Sequence, residues 1–318
     1  MTTANYLQEL TDRLAQGLMR LPDEQRQRHA AYLRHAQNPD GGFSGRDGGS
    51  DLYYTGFALR GLAVLGALTP EVGQQAADFL GQSLTREASI VDFFSLLYSC
   101  LLVQLAGGPD VLANSPADWP DRVAAALERF RGPDGGYAKT AENVASSTYH
   151  TFLVGLSYQL LGRSLPRPED LVRFVLSRRR EDGGFVEIAP RKRSGTNPTA
   201  AAVGVLQLLS GGRKPPEGAA MPAEVREGLI NFLAAMPSLE GGLRANGRVP
   251  LADLLSTFTG CWTLARLGAL DRIDTAAARE YVESLEVEAG GFRGGLWDER
   301  PDVEYTFYGL GALALLTP

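Results

Sequence analysis

Apolar and polar positions along this chain follow two alternating textures. Six stretches are apolar on nearly every side: residues 51–65, 91–105, 147–161, 198–209, 254–267 and 302–316. Preceding each is a stretch with apolar residues at helical spacing on one face and charge on the other: 23–37, 71–80, 121–131, 169–179, 223–235 and 275–285. Five of these six have a proline near the first turn (Pro22, Pro70, Pro120, Pro168, Pro222), where a missing backbone N–H costs nothing. A helix apolar all round must be covered all round, whereas a one-sided helix covers it on one face and meets water with the other. No segment alternates with period two over several turns, so strands are not expected.

Glycine pairs punctuate the pattern. Gly41-Gly42-Phe43, Gly135-Gly136-Tyr137, Gly183-Gly184-Phe185, Gly241-Gly242-Leu243 and Gly290-Gly291-Phe292 each follow a one-sided stretch. Asp40, Asp134 and Asp182 precede three of them. Their spacings are 94, 48, 58 and 49 residues, so the first gap holds room for a sixth, degenerate copy near residue 88. A fixed period of this size marks a repeat architecture. Six repeats of an outer and an inner helix predict an all-α fold, an α/α toroid with six inner and six outer helices. An open solenoid needs polar capping repeats, yet the final stretch is as apolar as any other. The expectation is one domain over residues 1–318, with residues 1–20 adding an N-terminal helix (about 6–19) that packs across the outside.

Composition narrows the class without choosing a function. At 44% hydrophobic and 21% charged, the chain has the balance of a globular protein that stays in water. A net charge of −6 gives a nucleic-acid partner no bulk electrostatic support. No apolar run reaches the ~18–20 residues of a membrane span, and the first residues lack a secretory pattern. Cys100 and Cys261 both lie in apolar helical runs, which suits a reduced, cytoplasmic setting.

The segment Tyr32-Leu33-Arg34-His35-Ala36-Gln37-Asn38-Pro39-Asp40-Gly41-Gly42-Phe43 resembles the repeat signature of protein prenyltransferase β subunits and squalene-type terpenoid cyclases. The fourth unit, from Gly241 through Trp262-Thr263-Leu264-Ala265, and the fifth, from Gly290 through Asp302, Tyr305-Thr306 and Tyr308-Gly309, are most similar to the Rab geranylgeranyl transferase β subunit. The resemblance covers about residues 20–318. It implies an α/α toroid around an aromatic-lined funnel for a farnesyl or geranylgeranyl tail, basic residues for the diphosphate, and a helical α-type partner subunit. It also implies a rim zinc held by Asp, Cys and His, a site this chain departs from. Aligned on the shared residues, Ser256 stands at the Asp position, Phe258 at the Cys position and Tyr305 at the His position. Zinc requires three or four N, S or carboxylate donors, so no zinc is expected, although Mg could accompany a diphosphate. A shifted register would bring Asp253 or Cys261 toward the rim. The Asp-x-Asp-Asp acid of the cyclase branch and an Asp-Asp-x-x-Asp magnesium motif are both absent.

Three positions are candidates for catalysis: His150, Asp302 and Tyr305. Asp302, like Asp51, reads first as a favourable charge in a first helical turn. His150 reads first as a satisfied structural group and otherwise as a residue for acid–base work or for holding a phosphate. Arg191 and Arg193 (with Lys192 between them), Arg244, Arg248 and Arg293 fall in three successive loops after the Gly-Gly turns, and guanidinium forks match diphosphate oxygens. Of these, Arg248 resembles the family's diphosphate arginine. Tyr53, Tyr54, Tyr149, Phe258, Trp262 and Tyr308 lie on inner helices, most in the first two turns, where they could line a lumen or pack a core. The expected function is therefore a prenyltransferase-like protein binding an isoprenoid diphosphate, acting as a zinc-independent transferase or cyclase if catalytic. The alternative is a toroid without catalysis, binding a lipid or a protein after losing the metal.

Overall fold

A computed structural model describes residues 5–84, 89–142, 145–211 and 221–318. The degenerate sixth turn expected near residue 88 lies outside them. Helices occur where the two textures alternate: α1 Tyr6–Leu18, α2 Asp23–His35, α3 Leu52–Val64, α4 Pro70–Ser83, α5 Ile90–Leu105, α6 Trp119–Glu128, α7 Thr148–Leu160, α8 Pro168–Ser177, α9 Thr196–Ser210, α10 Ala223–Ala234, α11 Leu254–Arg266, α12 Thr275–Ser284 and α13 Val303–Leu316. Among the described residues there is no strand, only isolated bridges such as Phe43 with Asp51 and Phe292 with Asp302.

The chain forms two compact units. A mid-chain unit comprises residues 1–6 and 118–277, and a terminal unit comprises 7–117 and 278–318. Inside the mid-chain unit, the apolar helices α7, α9 and α11 stand side by side, with α8 backing α9 and α10 backing α11. Inside the terminal unit the inner row is α13, α3 and α5, backed by α2 and α4. The last repeat is thus the neighbour of the first.

Each Gly-Gly turn is built for close approach. The first glycine adopts a left-handed φ (86° at Gly41, 94° at Gly241, 98° at Gly290) and abuts the next outer helix. A Cβ on Gly41 would lie 1.8 Å from the Gln75 carbonyl oxygen, and one on Gly290 would lie 2.7 Å from that of Arg28 in α2. Only glycine meets both demands. The apolar residue that follows (Phe43, Tyr137, Phe185, Leu243, Phe292) has no exposed surface. Its backbone N–H donates to the hydroxyl of a threonine in the first turn of the next inner helix: Thr55, Thr151, Thr199 and Thr257 at 2.9 Å, and Thr306 at 3.2 Å. The preceding aspartates close the loop from the other side. Asp40 accepts from the Gly42 N–H at 3.0 Å and from Ser50 at 2.7 Å, and Asp182 accepts from Gly184 and Ser194 in the same way.

Helix α1 departs from expectation. It packs against inner helices rather than across the outside. In the terminal unit, Gly17 lies so close to the α13 backbone that a Cβ would sit 2.1 Å from the Ala314 carbonyl oxygen. Thr11 and the Tyr98 hydroxyl of α5 are 2.9 Å apart, and Leu7, Leu14 and Leu18 are buried. In the mid-chain unit, the Tyr6 N–H donates to Gln159 of α7 at 3.0 Å. The absence of a Cβ at Gly17 permits this approach.

Candidate functional site

On the inner row of the terminal unit, aromatic rings surround two charges. Tyr53 meets Tyr54 at 5.3 Å between ring centroids and Phe57 at 4.9 Å. Phe57 in turn meets Phe307 at 5.7 Å and Tyr308 at 5.1 Å. Arg60, the one charged residue of α3, lays its guanidinium 4.0 Å from the Phe57 centroid, with Phe307, Phe94 and Tyr98 at 5.1, 5.8 and 6.0 Å. Its Nε donates to the Gly56 carbonyl at 2.9 Å, the usual i to i−4 reach along a helix. Glu304, the one charge of α13, accepts a hydrogen bond from the Tyr53 hydroxyl at 2.6 Å. Burial pushes the Glu304 carboxyl above its ordinary range, while hydrogen bonds from Tyr53 and Tyr308 and the charge of Arg60 pull the other way.

Asp302 and Tyr305 serve the start of α13. Asp302 is its N-cap, accepting the Tyr305 N–H at 2.8 Å, and lies 3.2 Å from Arg46 Nε. Burial raises its carboxyl. The Tyr305 ring lies 5.6 Å from the Arg46 guanidinium and 6.3 Å from Tyr308. Asp51 and Asp253 cap α3 and α11 in the same manner.

In the mid-chain unit, Trp262 donates its indole N–H to the Tyr6 hydroxyl at 2.7 Å and is 5% exposed. Phe258 is equally buried. Tyr6 also packs edge-on to Phe152 at 5.3 Å, and Arg266 lies 4.9 Å from its ring. The indole N–H of Trp262 is therefore already engaged by Tyr6. Tyr149, by contrast, is 38% exposed. Beside it, His150 is half-buried with Nδ1 2.9 Å from the Ser147 hydroxyl, and burial lowers its pKa.

The loop arginines divide into two kinds. Arg244 donates to the carbonyls of Ala235 (2.8 Å) and Met236 (3.1 Å) at the end of α10. Arg293 donates to the Ser284 carbonyl at the end of α12 at 2.7 Å. These two occupy equivalent repeat positions and satisfy helix C-termini. Arg191, Arg193 and Arg248 are exposed, and among the described residues their guanidinium groups have no protein partner.

The donor set for a zinc ion does not fit. Ser256 donates to Asp253 at 2.8 Å, and Asp253 is engaged as the α11 cap. The Phe258 ring offers no donor, and Tyr305 supplies only a phenol. A shifted register fails for the same physical reasons: Cys261 has no exposed surface, and burial pushes its thiol up to about 12. Among the described residues, no group of three His, Cys, Asp or Glu side chains could hold a metal ion.

Sequence reading passed over Arg60, Glu187 and the five threonines. Arg60 and Glu304 were signalled as lone charges within otherwise apolar helices. The threonines were signalled by their recurrence 12 or 14 residues after the apolar residue that follows each glycine pair.

An all-helical chain built from such repeats defines a class, the α/α toroid. This chain belongs to the prenyltransferase alpha-alpha toroid domain family, whose model matches residues 75–317. Solved structures share the fold. They include the Candida albicans protein geranylgeranyltransferase-I complexed with GGPP (TM-score 0.67, 16% identity, 91% of this chain and 90% of that one). A type II terpene cyclase, MstE from Scytonema, is similar over 96% of this chain and 98% of its own (TM-score 0.61, 14% identity). So is the GH76A alpha-1,6-mannanase of Salegentibacter sp. HEL1_6, over 92% and 98% (TM-score 0.63, 13% identity). No curated protein matches the chain. No helix among the described residues is long and apolar enough to cross a membrane.

Proposed function

We propose that this protein binds an isoprenoid diphosphate of the farnesyl or geranylgeranyl type and acts on it without zinc. The observation that carries the reading is the aromatic inner face of the terminal unit, where Tyr53, Tyr54, Phe57 and Tyr308 stand together in a prenyltransferase-family fold. Burying a polyprenyl chain against such a surface gains about 25 cal/mol per Å². The π-faces also favour positive charge developing on an allylic carbon. The mid-chain unit, taken by itself, offers Arg191, Arg193 and Arg248 as exposed arginines suited to an anion such as a diphosphate, and Mg would share a diphosphate's charge. Arg244 and Arg293 support the loops from behind.

A cytoplasmic setting, kinship of the fourth and fifth units with the Rab geranylgeranyl transferase β subunit, and a helical α-type partner subunit belong to the same reading. Calorimetry with geranylgeranyl diphosphate, farnesyl diphosphate and the two free alcohols tests it. Micromolar binding of a diphosphate, at least tenfold tighter than its alcohol, is expected. Equal affinities remove the arginines from the site, and no binding of any of the four overturns the reading. The replaced zinc positions favour a second reading, a toroid that binds lipid or protein without turnover; tight binding with unchanged diphosphate after prolonged incubation selects it.

A further inference from the structure

Gly56 is a glycine that its surroundings do not require. Other inner-helix glycines of the terminal unit are imposed by contact: a Cβ would lie 2.8 Å from Leu33 at Gly61 and 2.4 Å from Phe292 at Gly309. At Gly56, buried in the second turn of α3, the nearest atoms to an added Cβ would be Ser95 Cβ at 3.5 Å, Ser99 Oγ at 3.6 Å and Arg60 Nη2 at 3.7 Å. Those are ordinary van der Waals distances, so a methyl group would fit. A glycine inside a helix lowers stability relative to alanine, and here no close approach offsets the loss. Its missing side chain leaves a gap the size of one methyl group, or of one oxygen atom.

The walls of that gap are polar and unused. Ser95 and Ser99 lie one turn apart on α5, 2% and 0% exposed, and neither hydroxyl has a hydrogen-bond partner among the described residues. A buried helical serine commonly donates to the carbonyl four residues back, as Ser83 does to Phe79 at 3.0 Å. The third wall is Arg60. Its Nε donates to the Gly56 carbonyl, whereas its two terminal nitrogens make no hydrogen bond or ion pair among the described residues and are not sealed from solvent. The guanidinium therefore connects the gap to solvent, with Phe57, Phe94, Tyr98 and Phe307 around it. Buried hydroxyls without partners are uncommon in folded proteins. Two of them, converging with a guanidinium edge on one gap, point to an acceptor that binds there.

We propose that Arg60, Ser95 and Ser99 bind the carboxylate of a long-chain acid, with an aliphatic or isoprenoid body. One carboxylate oxygen fills the gap at Gly56, where both hydroxyls and Nη2 donate to it, and the other faces Nη1. The four rings around the guanidinium cover the first carbons of the chain. Charge selects a carboxylate. Arg60 is the one cation of α3, α5 and α13, whose other charges are the carboxylates Asp92 and Glu304. A head with a single negative charge suits that balance, and a diphosphate does not. Every group named lies in the terminal unit, so the inference stands whether or not the mid-chain loops hold a diphosphate.

Calorimetry on the full chain with dodecanoate, farnesoate and their methyl esters tests the idea, since an ester keeps the chain and removes the charge. At least one acid should bind about tenfold or more tighter than its ester. Whichever acid binds more tightly distinguishes a fatty-acyl body from an isoprenoid one. Arg60→Gln should abolish the preference for acid, with the ester's affinity as the control for an intact aromatic face. Gly56→Ala is the sharper variant, because its methyl group takes the oxygen's place at ordinary distances from every neighbour. It should weaken the acid by about tenfold or more with the ester unchanged. Equal binding of acid and ester, a preference that survives R60Q, or wild-type affinity for the acid in G56A overturns the proposal. So does loss of acid and ester together in G56A, which would assign the gap to the chain rather than to the head. Absence of binding by all four probes overturns it too, leaving the serines to a structural water only. Geranylgeranyl diphosphate, titrated in parallel, reports separately on the proposed function.

Discussion

At the scale of single residues, the carboxylate of Glu286 is gripped by three side chains of α2. It receives Gln25 Nε2 at 2.8 Å and pairs with Arg28, while Nε2 of the fully buried His29 lies 3.2 Å away. Burial alone would raise this acid, but the charges and donors outweigh it and hold the carboxyl down at about 2. A carboxylate depressed in the folded state contributes stability at pH values above its ordinary pKa near 4.5, and that contribution is lost as pH falls toward 2. Urea midpoints should therefore fall between pH 5 and pH 3. Glu286→Gln should cost about 1–3 kcal/mol at pH 7 and flatten the decline. An unaltered pH dependence in E286Q would place the acid sensitivity elsewhere. Such a cluster could not be read from sequence, because Gln25, Arg28 and His29 stand far from Glu286 along the chain and all four look like ordinary outer-helix polar residues. Asp302 and Asp51 were legible as helix-terminal acids because that role depends only on neighbours three residues away.

At the scale of elements, the helices were legible and their partners were not. Texture and punctuation gave every inner and outer helix to within a few residues, since an apolar surround and a Gly-Gly stop are both local signals. Helix α9 starts at Thr196, two residues before the boundary suggested by Pro198, because proline in a first turn forfeits no bond. The location of α1 depended on Gly17 meeting Ala314, a contact nearly the whole chain apart. The Gly-Gly turns give sharp predictions here. Gly241→Ala would place a Cβ 2.4 Å from the Ala277 carbonyl oxygen at a φ of 94°, and should destabilise by about 2 kcal/mol or more. Thr257→Val keeps the shape but strands the buried Leu243 N–H, at about 1–3 kcal/mol. Gly247→Ala is the comparison, since nothing lies within 4 Å of its added Cβ; it should stay within about 0.5 kcal/mol of wild type. Comparable losses in all three, by chemical denaturation, would refute the account of the turns.

At the scale of the whole molecule, the terminal unit joins residues 7–117 to residues 278–318. Its inner row runs α13, α3, α5, and the last Gly-Gly turn seats on α2, with Gly290 against Arg28 and the Gly291 N–H donated to His29 Nδ1 at 3.0 Å. Phe292, with no exposed surface, stacks on His29 at 4.7 Å. Repeat stability is normally a sum of neighbour terms along the chain, but here the neighbours include the two ends. Phe292→Ala should cost about 3–5 kcal/mol by leaving a cavity between the last repeat and the first. Native-state hydrogen exchange then discriminates. If the two ends form one cooperative unit, amides of α2 and α3 lose protection together with those of α12 and α13, despite more than two hundred intervening residues. Loss confined to α12 and α13 would mean that the last repeat frays like the end of an open array. The aromatic face of α3 and α13, with Glu304 bonded to Tyr53, would then form only transiently, and under the proposed function an added isoprenoid diphosphate should restore protection to both ends at once.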